Sequence, residues 1–160
     1  MRKILLVVFL SFCLFCGCFD VDSSVSAGGS GSSPVLTQDI IDIAFRASHV
    51  VNTGMGYIDD YYAGVETQWY KPSDVERSDD GTYTFNYFTL SGFGIISGTA
   101  YRASWLHDGN RYPVVVCDLD YVWTSHTLGA PPMVIVHSRD YDGVYHLYKI
   151  VYDGVTLLDD

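Results

Sequence analysis

Positive charge is scarce in this chain. Nine Lys and Arg face 19 Asp and Glu, a formal net charge of −10 with His neutral. Such a surface repels phosphate backbones and anionic headgroups, which excludes nucleic acid as a partner. Long apolar runs are missing at the start of the chain, where the uncharged stretch from Ile4 stops at Phe19, short of the roughly 18 to 20 apolar residues that cross a bilayer. No H-E-x-x-H, G-x-S-x-G or phosphate-cradling glycine loop occurs, so none of the common signatures for metallopeptidase, serine-hydrolase or nucleotide chemistry is present. Cysteine is also sparse. Of four, Cys13, Cys16 and Cys18 crowd the first eighteen residues and Cys117 stands alone. An internal disulfide is thereby excluded from the rest of the chain, which must rely on an apolar core.

What is present begins with an export pattern. Arg2 and Lys3 precede Ile4 to Phe15, a stretch dominated by Leu, Val, Ile and Phe, as a signal peptide requires. Phe15-Cys16-Gly17-Cys18 then resembles the bacterial lipobox, in which a small residue precedes a cysteine whose thiol receives diacylglycerol; Cys13 and Cys16 each follow a bulky Phe instead. The resemblance to bacterial lipoproteins implies that residues 1–17 are a signal peptide, that Cys18 is the lipid-attachment site, and that acyl chains hold the protein to a membrane of the cell envelope. Phe19, rather than Asp, follows the modified cysteine, which by the sorting pattern of enteric lipoproteins implies the outer membrane over the inner. The C-x-x-C spacing of Cys13 and Cys16 falls within the discarded signal and carries no redox or zinc reading. Processing leaves seven basic against 19 acidic residues. Residues 18–33 form the lipidated cysteine and a tether, because Ser23 to Ser33 is almost wholly Gly and Ser and is too polar to pack; its reach is on the order of 20 to 25 Å.

Residues 34–160 are read as one globular domain. Thr37 is a plausible N-cap with Asp39 in the first turn, and Ile40, Ile41, Ala44, Phe45, Ser48 and Val51 recur at helical spacing, with Gly54 and Gly56 expected to end the helix. A helical turn over Ile58 to Tyr62 and a strand over Val65 to Tyr70 are expected next. From Asp79 the period becomes two. Asp80-Gly81, Asp108-Gly109, Asp142-Gly143 and Asp153-Gly154 punctuate runs rich in Val, Ile, Thr, Tyr and Phe, a hairpin signal. Strands are predicted over Thr82–Leu90, Gly94–Leu106, Tyr112–Thr124, Met133–Ser138, Val144–Tyr152 and Val155–Leu158, with a longer connection from His126 to Pro132. The fold class is therefore α+β, one N-terminal helix packed on an antiparallel five- to six-stranded meander sheet; a small β-barrel is the alternative.

Alternation within Tyr112–Thr124 places Pro113, Val115, Cys117, Leu119, Tyr121 and Trp123 on the core face and Asp118 and Asp120 on the other. A three-residue loop Asp108-Gly109-Asn110 would set Arg102 beside Asp118, whereas a two-residue loop would set it among apolar side chains. Paired carboxylates at Asp118 and Asp120 suit acid/base hydrolysis or calcium, and with Ser125-His126 supply the residue types of a catalytic set; a charged pair answered by Arg102 or solvent is the plainer account. Asp140-Tyr141-Asp142-Gly143 opens like a calcium loop but lacks the later acids and reads as a hairpin turn. His137 and His146 can approach diagonally across that hairpin, yet two imidazoles make no zinc site. No metal and no cofactor is expected.

Thirteen Tyr and three Trp leave some rings facing solvent, where they can stack on sugars or anchor a protein. The expectation is a lipid-anchored, non-catalytic binding or structural module of the envelope, its partner an envelope protein or glycan. The alternative is an envelope hydrolase using Asp118 and Asp120 with His126.

Overall fold

The computed structural model describes residues 34–65, 73–124 and 127–160. The expected signal peptide, Cys18, the tether, His126 and all but the first residue of the strand over Val65 to Tyr70 lie outside the described residues; Val65 itself is irregular. The one helix among the described residues, α1 (Gln38–Tyr62), starts where Thr37 Oγ1 accepts the Ile40 N–H at 3.4 Å. Its buried stripe is Ile40, Ile43, Ala44, Ala47, Val50, Val51, Met55 and Ile58. That stripe is rotated from the expected one, so Ile41 and Phe45 are only half-buried on its flank.

The helix does not end at Gly54 and Gly56. Gly54 is inside it for clearance, since a Cβ there would sit 2.7 Å from the Phe85 ring. The stop comes at Gly64 (φ 68°), whose N–H reaches Tyr61 O while that of Val65 reaches Asp60 O at 3.0 Å. This pair of bonds is the glycine-terminated Schellman arrangement, which satisfies the last carbonyls.

Among the described residues eight strands follow: β1 (Val75–Arg77), β2 (Tyr83–Leu90), β3 (Gly94–His107), β4 (Asn110–Thr124), β5 (Thr127–Ala130), β6 (Met133–Arg139), β7 (Tyr145–Tyr152) and β8 (Val155–Asp159). They form one antiparallel sheet in the order β1-β2-β3-β4-β6-β7-β8, with β5 paired to β4 beside that path. The sheet is open, so the α+β class and the meander hold and the barrel alternative does not. The count exceeds six because β1 and β5 are too short to show a period. Asp108-Gly109 and Asp153-Gly154 are two-residue turns with φ of 48° and 75°, and 51° and 73°. Positive φ at both positions is the type I′ geometry that matches strand twist.

The two-residue turn corrects the expected register, pairing Arg102 with Val115 on the helix-facing side. The cost of an apolar setting is avoided because Arg102 leans to the edge of the core. There Arg102 Nη2 donates to Asp59 Oδ2 at 2.6 Å and Nη1 to the Tyr83 hydroxyl at 2.6 Å, while Asp59 also accepts from Tyr83 Oη at 2.6 Å and Arg77 at 3.2 Å. Desolvation pulls the Asp59 carboxyl upward, yet the Tyr83 and Arg102 hydrogen bonds outweigh it and hold it below its ordinary range. This clasp joins the end of α1 to three strands, and charged hydrogen bonds of this kind contribute about 1.5–3 kcal/mol each before solvent screening.

The faces of β4 are corrected as well. Between Ser97/Tyr121 and Gly98/Leu119 the ladder slips by one, leaving Asp120 as an extra residue. A bulge of this kind reverses alternation, so Cys117 and Leu119 face the core but Val122 and Thr124, not Tyr121 and Trp123, continue it.

Opposite the helix a smaller cluster, Val114, Val136 and Tyr148, gathers Trp105, Tyr112 and Val116. Trp105 on β3 donates from Nε1 to the Asp160 carbonyl just past β8 at 3.1 Å. Three strands separate those two in the sheet, so the sheet curls strongly to bring them together.

Candidate functional site

At the hairpin end of the sheet, where β4 begins, β6 ends and β7 begins, a cleft of about 750 Å³ opens against the flank of α1. Ile41 and Phe45 from the helix and Leu147 from β7 give it an apolar wall. Aromatic rings supply the rest, including two from the cluster on the sheet's other face: Tyr112 and Tyr148 stack at 6.1 Å, His107 meets Tyr148 edge-on at 5.6 Å, and the Arg139 guanidinium lies over the Tyr145 ring at 5.5 Å. Asp140, in the turn after β6, accepts the Val144 N–H at 2.8 Å and faces His146 Nε2 at 3.4 Å. The backbone bond and then the imidazole hold its carboxyl below the usual range. Asp140-Tyr141-Asp142-Gly143 is thus a closed hairpin turn, its first carboxylate engaged by the turn itself.

A second ring system borders the cleft. His49 meets Phe93 at a tilt, ring centroids 4.3 Å apart, and its Nδ1 lies 3.4 Å from the Tyr145 hydroxyl. Burial and then the nearby Arg139 charge keep this imidazole less basic than usual. The sequence pattern does not mark Ile41, Phe45, Arg139 and Tyr145 as site residues. The available signal was Phe45, an aromatic residue at the margin of the helical stripe.

Of the residues of the hydrolase reading, Asp118 and Asp120 do not line this cleft, and His126 lies outside the described residues. Asp118 is exposed on the face away from α1, and Asp120, the bulge residue, borders a separate shallow groove of about 330 Å³ with Asp74 and Glu76. Arg102 answers neither, being committed to Asp59 on the opposite face. His137 and His146 are parted too, because His137 is wholly buried while His146 is exposed beside Asp140. Among the described residues no group of three or more His, Cys, Asp or Glu is placed to hold a metal ion.

His137 is instead the centre of a buried chain. Asn52 Nδ2 donates to His137 Nε2 at 2.9 Å, and His137 Nδ1 lies 3.8 Å from Cys117 Sγ. Cysteine, histidine and asparagine are the residue types of a thiol hydrolase, but burial reverses the required ionisation. It pushes the Cys117 thiol well above its ordinary range and lowers His137 to about 4. Both groups are neutral, and Cys117 and His137 have no exposed surface. The chain therefore acts as a polar tie between α1, β4 and β6.

The architecture defines an α+β protein with an open, curled antiparallel sheet under one helix. Compared with known proteins, the chain matches no family model, no curated protein and no solved structure.

Proposed function

We propose that this is a lipid-anchored protein of the bacterial envelope whose sheet domain is a non-catalytic binding module, taking its partner, an envelope protein or glycan, at the cleft beside α1. One observation carries the binding reading: the cleft is walled by aliphatic and aromatic side chains with a few polar groups at its rim, the composition of a recognition site, while Asp118 and Asp120 lie elsewhere. The anchored reading rests on the lipobox at Cys18, and the outer-membrane placement on Phe19.

Metabolic labelling with a fatty-acid analogue is expected to mark the wild type and not Cys18→Ala; equal labelling of both would remove the lipoprotein assignment. For the cleft, in-cell crosslinking is expected to capture a specific species that is lost on combined Phe45→Ser and Tyr145→Ala replacement and retained on combined Asp118→Ala, Asp120→Ala and His126→Ala replacement. Should the second variant fold normally yet lose the cellular role, the hydrolase alternative replaces this one.

A further inference from the structure

The cleft holds a cation whose charge is not answered. Arg77 and Arg102 pair with Asp59, and Lys149 pairs with Asp159 at 3.2 Å. Among the described residues no carboxylate stands within ion-pair distance of Arg46, Arg111 or Arg139, and of these three Arg139 lines the cleft, where Asp140 and Asp160 are the acidic neighbours. The nearest in sequence, Asp140, is occupied by the Val144 N–H and His146. The guanidinium does rest on an aromatic neighbour. It folds back over the hairpin turn onto the Tyr145 ring, and it does so past Gly143, where a Cβ would come within 3.2 Å of Nη2. A guanidinium over an aromatic ring is held by the cation–π attraction and keeps its N–H groups available to an incoming acceptor.

Beside this cation lies the apolar wall. Leu36, Ile41, Phe45, Leu147 and Leu158 all line the cleft, and each is half-buried, so each still presents apolar surface to solvent. A ligand that satisfies both parts has a hydrocarbon body and an anionic head. We propose that the cleft takes an amphiphilic monocarboxylate, its head held by Arg139 and its tail laid along Phe45 and Leu147. The proposal rests on the binding reading above and names its ligand class. Carboxylate is favoured over a phosphate monoester on two grounds. A guanidinium meets a carboxylate with two parallel hydrogen bonds, and a net charge of −10 disfavours each further negative charge brought to the surface. The cleft volume of about 750 Å³ lies in the usual range for a small-molecule site.

The test uses the segment Pro34–Asp160, since among the described residues the core begins at Leu36, with circular dichroism and cooperative unfolding as the prior check that it folds. Sodium decanoate, decyl glucoside and decylammonium are titrated below their micellar concentrations, with acetate as the head alone, and read by calorimetry and by amide shifts at Phe45, Tyr145 and Leu147. Decanoate is expected to saturate at one site and to bind about tenfold more tightly than decyl glucoside, with decylammonium weaker still and acetate silent. Arg139→Gln should weaken decanoate by about tenfold while leaving decyl glucoside unchanged, and Phe45→Ser should weaken both. Arg139 is exposed, so its variant is expected to fold, with circular dichroism as the check. Equal affinity for the three amphiphiles, or an unchanged decanoate affinity in Arg139→Gln, overturns the proposal. Failure of decanoate to bind, combined with a crosslinked partner lost on Phe45 and Tyr145 replacement, also overturns it while leaving the binding module standing. If that partner is missing as well, both readings fall.

Discussion

Acidification from pH 7 to pH 4 is expected to cost the domain about 3 kcal/mol of stability through one side chain, His137. Its imidazole is buried against Asn52 and Cys117, and desolvation lowers its folded-state value to about 4 from 6.5. Asn52 donates to Nε2, which leaves the single proton of the neutral ring on Nδ1. A second proton on Nε2 would set one N–H against another and break the tie between helix and sheet. The sign follows from proton uptake. Between pH 6.5 and 4 the unfolded chain binds a proton that the folded one refuses, so stability falls as pH drops through this window and levels off below about 4. His49 is also less basic than usual through burial and Arg139, and it acts in the same direction. Asp59 acts elsewhere: its folded carboxyl is depressed below 3.8, so its contribution is present above that value and lost only in stronger acid. Urea unfolding at pH 7, 5.5 and 4.5 measures the window. The wild-type free energy should fall by most of the stated amount, whereas His137→Gln, which retains an acceptor for Asn52 without a titrating ring, should show a much shallower slope. Parallel slopes in the two proteins would place the acid sensitivity outside His137.

The turns of this fold are legible because they are local. Asp-Gly pairs require only that two consecutive residues accept positive φ, and Asp108-Gly109 and Asp153-Gly154 do so at the ends of strands whose alternation is plain. The N-cap at Thr37 and the central strands follow from equally short-range rules. The features that shape the cleft are not local. Gly54 carries the same sequence signal as a helix stop, and its actual role, clearance for the Phe85 ring, depends on a residue 31 positions further along the chain. The partner of Arg102 is Asp59, 43 residues away, so the apparent penalty of the two-residue turn could not be offset from pattern alone. The bulge at Asp120 defeats a period-two reading because alternation carries no mark where one residue drops out of the ladder. The same holds at Tyr148, unpaired between Val136/Lys149 and His137/Leu147. Phe45 was visible as an apolar helix position, but its placement on the flank depends on which side of the stripe the sheet covers.

Gly98→Ala is expected to be the most damaging single-methyl change in the domain, costing more than about 4 kcal/mol and leaving no soluble folded protein. Gly98 stands opposite the Asp120 bulge at φ 138°, a conformation that L side chains rarely adopt. A Cβ there would lie 2.3 Å from the Asp118 carbonyl oxygen and 2.7 Å from Leu119 Cα. Both are backbone atoms of β4, so relief requires parting β3 from β4, the longest pairing in the sheet. Glycine at this point is what permits the bulge, and the bulge is what turns Val122 and Thr124 into the core and leaves Asp120 at the surface. Gly56→Ala is the control, since nothing lies within 4 Å of a Cβ at that position in α1. There the added methyl should stabilise by about 0.5–1 kcal/mol, because alanine loses less backbone entropy than glycine on entering a helix. Thermal and urea unfolding should therefore show Gly56→Ala above the wild type, while Gly98→Ala yields no folded protein with a cooperative transition. A folded Gly98→Ala within about 1 kcal/mol of wild type would mean that β3 and β4 can separate locally at little cost, and that the bulge is not anchored by Gly98.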